Sequence, residues 1–329
     1  MNTAFDYQWS CEATQLEFQE DEVIAIVKVT AEGIAKMQAG GKRTDSSFVI
    51  LTFHTHSEQP CDKIDAFNAR GNRMGANVKI LAHRGGMDRA PENTMTAFRQ
   101  ALADGADAFE TDVRLTKDGQ PILIHTGFDD DDIAPVTGSK ASLRDLDWAD
   151  LEKQRVLGSN EPIAHLDEML AFVRETRLPC FIEPKQSDAE LLEVVIGRIQ
   201  RFDVLDKVGI LTFYGHRASL IQAKRLAPTI ETSVILINPF ADFLKAATSI
   251  KANRVIIGWS PRFNHFRVHG FFFRAVSRKV EELKAEGIIV ESGFIDNKRD
   301  VAWAIEHGID GLWTDDVPKI RRYAQEVLT

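Results

Sequence analysis

From residue 78 to the C-terminus, short apolar runs alternate with segments of helical period. The apolar runs fall at 78–82, 108–113, 180–183, 208–213, 232–237, 254–259, 288–291 and 311–314. Runs of this length between turn residues predict buried strands. Segments 189–202, 216–226, 275–286 and 298–307 repeat their apolar residues at helical spacing and predict helices between those strands. Eight strands with helical crossovers over about 250 residues predict an α/β fold, a TIM (β/α)8 barrel. The alternative is a doubly wound open sheet, but no glycine-rich dinucleotide fingerprint follows the first strand.

The N-terminal part has a different texture. Runs 23–29 and 47–56 are rich in β-formers and are separated by the turn-like Ala39-Gly40-Gly41-Lys42. Asn68-Ala69-Arg70-Gly71-Asn72-Arg73 reads as a linker. The chain is therefore expected to comprise a β-rich N-terminal extension, residues 1–77, and a barrel, residues 78–329. The extension has too few strands for a large core of its own, so it is expected to pack on the barrel or on a second subunit.

Composition narrows the choice of partners. A net charge of −9 disfavours binding to phosphate polymers and argues against a nucleic-acid partner. A small anionic substrate remains compatible, because a metal ion and a few local cations can invert the field inside a pocket. Cys11, Cys61 and Cys180 are far apart and odd in number, which suits free thiols in a reducing compartment. No basic, apolar leader opens the sequence and no run is long enough to span a bilayer. The expectation is a cytoplasmic protein without stable membrane association; homo-oligomerisation is left open.

Functional side chains of such barrels sit at the C-terminal ends of strands. The first strand ends in His83-Arg84-Gly85-Gly86. Arginine presents a fork of donors to phosphate oxygens, histidine carries a proton near neutral pH, and glycine lets backbone approach a ligand. Glu110 and Asp112 lie two apart on the second strand and so share a face. Two carboxylates in contact need a shared proton or a cation, and oxygen ligands suit Mg²⁺ or Ca²⁺. Thr116-Lys117-Asp118-Gly119 predicts a hairpin that returns His125 towards those acids. The third barrel strand adds Glu183 and Lys185, again two apart: a third carboxylate for a metal and a cation for phosphate. Taken singly, each of these could equally be a capping histidine or a solvated strand end.

Together they carry a resemblance. His83-Arg84-Gly85, Pro91-Glu92-Asn93-Thr94, Ala97-Phe98, Gly105-Ala106-Asp107, Glu110-Thr111-Asp112-Val113, Thr116-Lys117-Asp118-Gly119 and His125 resemble the motifs of the glycerophosphodiester phosphodiesterase family. Leu166-Asp167-Glu168-Met169-Leu170, Phe181-Ile182-Glu183-Pro184-Lys185 and Gly308-Ile309-Asp310-Gly311-Leu312-Trp313-Thr314-Asp315 resemble its later blocks. The match is ordered from residue 79 to about 320. The resemblance implies a TIM barrel, one divalent cation, and hydrolysis of a small phosphodiester to a phosphomonoester and an alcohol. It implies His83 and His125 as the acid–base pair, Glu110, Asp112 and Glu183 as metal ligands, and Arg84 and Lys185 as phosphate binders. Glu92 would support the substrate site. It also implies that a neighbouring substrate hydroxyl can attack phosphorus and give a cyclic phosphate.

Two positions depart from the family pattern. Thr126 replaces an aspartate after the second histidine, and Glu291-Ser292 replaces a Trp-Thr pair that faces the substrate on the seventh strand. With Trp259 they are expected to line the alcohol side of the pocket, where a glutamate would suit a hydroxyl-rich group. A sugar phosphodiester, such as an agrocinopine-type opine, is therefore a candidate substrate. Two other functions compete: a phospholipase-D-like enzyme acting on choline lipids, and an inactive barrel used for binding. Three further constellations carry less weight: His54 with His56 as a metal pair, Asp129 to Asp132 as a calcium loop, and Phe271 to Phe273 as an interface.

Overall fold

The computed structural model describes the N-terminal strands by their backbone, and residues 78–187, 189–258, 266 and 276–328 in full. The chain divides into two compact units, Met1–Asn72 and Arg73–Thr329. In the first unit, β1 (Glu12–Gln19), β2 (Glu22–Lys28), β3 (Lys42–Arg43) and β4 (Phe48–His54) form an antiparallel sheet in the order β1-β2-β4-β3. Strand β2 pairs along its whole length with β4, Val23 facing Phe53 and Ile26 facing Ile50.

The second unit is the expected barrel. Its parallel strands are β5 (Lys79–Ala82), β6 (Ala108–Leu115), β9 (Cys180–Pro184), β10 (Val208–Phe213), β11 (Glu231–Leu236), β12 (Arg254–Ile257), β13 (Ile289–Ser292) and β14 (Gly311–Thr314). Pairing of β14 with β5, and of β5 with β6, closes the ring. The short β7 (Pro121–Leu123) turns back antiparallel on β6 as the Asp118-Gly119 turn predicts, and β8 (Ala164–His165) continues the excursion.

Alternation along each strand divides the apolar residues between two layers. Leu81, Ala108, Phe181, Leu211, Ile235, Ile256 and Trp313 fill the barrel interior. Residues of the other parity, such as Ile80, Phe109, Ile182, Ile210, Val234 and Leu312, pack outward under the helices. Near-continuous burial explains why the strands read as unbroken apolar runs. Gly311 is required inside: a Cβ there would lie 2.8 Å from a Leu81 methyl. Trp313 is fully buried, and its loss to Ala would cost about 3–5 kcal/mol. No helix among the described residues is long and apolar enough to cross a membrane.

Candidate active site

The C-terminal ends of β5, β6 and β9, with the segment after β7, bring together seven of the residues singled out in the sequence. After β5 the chain makes a tight turn, His83–Gly85, in which Arg84 adopts left-handed backbone (φ 49°). A Cβ on Gly85 would lie 2.7 Å from the Ala97 Cβ, so only glycine admits this turn against the helix Met95–Ala103. The turn aims the Arg84 amide at Glu110, where it donates to Oε2 at 2.9 Å. The Arg84 guanidinium donates to Glu92 Oε2 at 2.7 Å and lies 3.2 Å from Asp112 Oδ2.

Three carboxylates converge beside it. Glu110, Asp112 and Glu183 are buried, each with an oxygen within 4.8 Å of the others. Lys185 Nζ donates to Glu183 Oε2 at 2.6 Å and stands 3.2 Å from Asp112 Oδ1. Yet Glu110 Oε1, Asp112 Oδ1 and Glu183 Oε1 are buried without a hydrogen bond. Burial, with Asp112 and Glu183 beside it, pushes the Glu110 carboxyl well above the usual carboxylate range. Burial likewise raises Glu183, to about 7. Asp112 goes the other way: burial opposes ionisation, but Lys185, Arg84 and His125 outweigh it and hold Asp112 well below its ordinary value. Three clustered, buried acids, each with one oxygen that makes no hydrogen bond, offer donors of the kind a hard divalent cation prefers.

The two histidines flank this cluster. His83 is buried, with Nε2 4.0 Å from Glu110 Oε2 and Nδ1 2.7 Å from Asp315 Oδ1. His125 follows β7 and stands 4.0 Å from Glu92 Oε1, one-third exposed at the mouth. Burial lowers both imidazoles, His125 to about 4, so neither is held as a permanent cation.

The expected alcohol-side residues stand elsewhere. Glu291 faces the barrel interior but at the opposite end, in register with Gly311, the first residue of β14. Its carboxylate accepts from Trp313 Nε1 at 2.9 Å and from the Arg254 guanidinium at 2.6 Å, and Arg254 also holds Glu231. Arg254 and Glu231 open their strands, so Glu291 belongs to a charged floor below Trp313 and does not line the mouth. The same-face position that reaches the mouth is two residues on, at Gly293. Ser292 has the parity of Val290, which packs outward under the helices. Thr126 is buried and its hydroxyl serves the loop, accepting from Arg114 at 2.9 Å and donating to the Gly127 carbonyl at 3.0 Å. Trp259, His56 and Phe271 to Phe273 lie outside the described residues. Cys180 is a buried free thiol. The acidic turn is engaged in organising its own loop: Asp131 pairs with Arg114 and Arg144, and Asp129 accepts from Ser187.

Sequence reasoning left several site residues unassigned. Asn93, in left-handed backbone at φ 56°, donates to Asp112 Oδ2 at 3.0 Å and accepts from the Asp112 amide and the Thr111 hydroxyl. Asp315 shares the inward parity of Trp313, a signal that was available in Trp313-Thr314-Asp315. Phe294 sets its ring edge-on to His83, centroids 4.7 Å apart. Phe128 stacks on His216 at 3.6 Å, with Lys185 5.0 Å from its ring. Their loop positions gave no such hint.

A (β/α)8 barrel with buried carboxylates, two histidines, an arginine and a lysine at its mouth is equipped for phosphoryl chemistry on a small anion. Residues 83–319 match the glycerophosphoryl diester phosphodiesterase family. The chain belongs to that family and is a phosphoric diester hydrolase. It is 30% identical over 248 residues to the YqiK protein of Bacillus subtilis, covering 72% of this chain and 95% of that one. A glycerophosphodiester phosphodiesterase of Caldanaerobacter subterraneus is 27% identical over 252 residues, covering 72% and 93%. Among solved structures, an Oleispira antarctica phosphodiesterase in complex with the product sn-glycerol-3-phosphate shares the fold, with a TM-score of 0.61 at 22% identity over 75% of this chain and 96% of that one.

Proposed function

We propose that the protein hydrolyses a small polar phosphodiester of the glycerophosphodiester kind to a phosphomonoester and an alcohol, with one divalent cation, Mg²⁺ or Ca²⁺. The reaction is assigned to residues 78–329, with residues 1–77 a separate β-rich extension. The observation that carries this reading is the cluster of three buried carboxylates, each with an oxygen that makes no hydrogen bond, beside two histidines. Glu110, Asp112 and Glu183 would hold the cation, which when bound neutralises charge on the phosphate and polarises it. Arg84 and Lys185 bind the phosphate oxygens; each is already poised on the carboxylates by an ion pair. Glu92 orients the Arg84 fork and borders His125. His83 and His125 act as acid and base on opposite sides of the scissile bond, one taking the proton of the attacking oxygen and one giving a proton to the leaving alcohol. A neighbouring substrate hydroxyl as attacker gives a cyclic phosphate, which water then opens.

The sugar-phosphodiester reading rested on Glu291 and Ser292 and loses its support with their placement away from the mouth. The deciding experiment is release of phosphomonoester from glycerophosphocholine, a lysophospholipid and a sugar phosphodiester, each with EDTA, Mg²⁺ or Ca²⁺. Cation-dependent turnover of glycerophosphocholine is expected. Full activity after exhaustive chelation would overturn the metal assignment. A preference for the lysophospholipid would favour a phospholipase-D-like enzyme, and no turnover of any diester would indicate a binding barrel.

A further inference from the structure

We propose that Asp315 is a positioning residue that holds His83 as the Nδ1–H tautomer and thereby keeps the Nε2 lone pair facing the reacting centre. The inference rests on the proposed role of His83 and adds the group that orients it. A carboxylate oxygen without a proton can only accept, so the 2.7 Å contact between Asp315 Oδ1 and His83 Nδ1 makes Nδ1 the donor. Neutral imidazole has one N–H, so Nε2 is then an acceptor. Nε2 is the atom turned towards the carboxylate cluster, 4.0 Å from Glu110 Oε2.

Two further observations restrict the ring. His83 is 3% exposed, so water does not replace Asp315 as the acceptor. The Phe294 ring stands edge-on against the imidazole at 4.7 Å and an interplanar angle of 82°, obstructing a ring flip that would exchange the nitrogens. Phe294 holds left-handed backbone at φ 48°, unusual for an aromatic residue and a strain that the surrounding packing must offset. In the reaction, Nε2 takes the proton of the attacking oxygen while Nδ1–H stays on Asp315, so the imidazolium forms beside an existing anion. Asp315 touches neither phosphate nor the three acids in this account; it acts through His83.

The test uses the full chain with Asp315→Ala and Asp315→Asn, and His83→Ala as reference, assayed on glycerophosphocholine with saturating cation. Both Asp315 variants are expected to lose kcat by on the order of 10²-fold or more. KM should stay within about 2-fold, because an orienting group acts in the transition state rather than on uniform binding. In ¹⁵N-histidine spectra, the resonances absent from His83→Ala identify His83. They should report Nδ1–H in the wild type and a mixed or Nε2–H ring in the variants. Adding Asp315→Ala to His83→Ala should cost nothing more, the mark of a residue working through its partner. Asp315→Asn keeps the shape of the side chain, so it serves if Asp315→Ala does not fold. Wild-type kcat in the variants, a loss confined to KM, or an unchanged tautomer alongside lost kcat would each overturn the assignment. If His83→Ala itself keeps wild-type kcat, the functional reading of the site fails, whatever the Asp315 variants do.

Discussion

Replacing Glu183 by Gln should stabilise the metal-free protein above neutral pH and abolish its response to a divalent cation. Glu183 is buried, and its carboxyl, at 4.5 in the unfolded chain, is raised to about 7 in the folded protein. Burial is the largest cause and Asp112 adds to it, while Lys185 opposes. The folded state thus holds this proton more tightly than the unfolded one, so stability is lost as pH rises from 4.5 through about 7. At about 1.4 kcal/mol per pH unit, the interval from 4.5 to about 7 corresponds to about 3 kcal/mol. A glutamine does not ionise and escapes that cost. His83 and His125 act in the opposite sense, their lowered values removing stability as pH falls, but they are present in both proteins and largely cancel in the difference. In chelated buffer the melting temperature of Glu183→Gln should therefore gain on wild type between pH 5 and 8, by on the order of 5–10 °C at the upper end. A cation at a thousandfold excess over Kd should reverse the order, since binding to the folded state alone then gives about 4.1 kcal/mol. Thermal melts at several pH values, with EDTA or with Mg²⁺, measure both effects. A difference independent of pH between 5 and 8, or equal stabilisation of both proteins by the cation, would refute the reasoning.

The histidine assignment predicts that His83→Ala and His125→Ala each lower kcat/KM by about 10²-fold or more, and that the wild-type profile is bell-shaped in pH; near wild-type rates in both variants would discard it. Glu291→Ala should act on stability, because it removes one of the two carboxylates on the Arg254 guanidinium and the acceptor of the Trp313 N–H: about 1–3 kcal/mol by denaturant titration. Its kcat/KM should fall equally on glycerophosphocholine and bis-p-nitrophenyl phosphate at a temperature where it stays folded, and a substrate-selective loss would return Glu291 to the pocket. Asn93→Ala removes a donor to Asp112 and leaves the Asp112 amide and Thr111 hydroxyl unpaired, so about 1–3 kcal/mol of stability should be lost together with cation affinity, read by melts and calorimetric titration.

The chemistry at the ends of the early strands was legible from residue order alone. Glu110 and Asp112, and then Glu183 and Lys185, are pairs two apart on strands. Strand parity sends both members of a pair to one side whatever the rest of the fold does. The hairpin that returns His125 is likewise local, set by Asp118-Gly119 between extended runs. Glu291 shows where such reasoning ends: its strand and inward parity were readable, its height in the barrel was not. Height is set by the stagger between neighbouring strands, which only closure of the ring determines, and that stagger carries Glu291 to the floor and Gly293 to the mouth. The same closure, pairing β14 with β5, brings Asp315 to His83 across 232 residues of sequence, and a left-handed residue after β13 delivers Phe294 to the same ring. Local pattern thus determined which side chains enter the barrel, because alternation is a property of the strand. The tertiary structure decided which of them meet, because contact depends on register between strands distant in the chain.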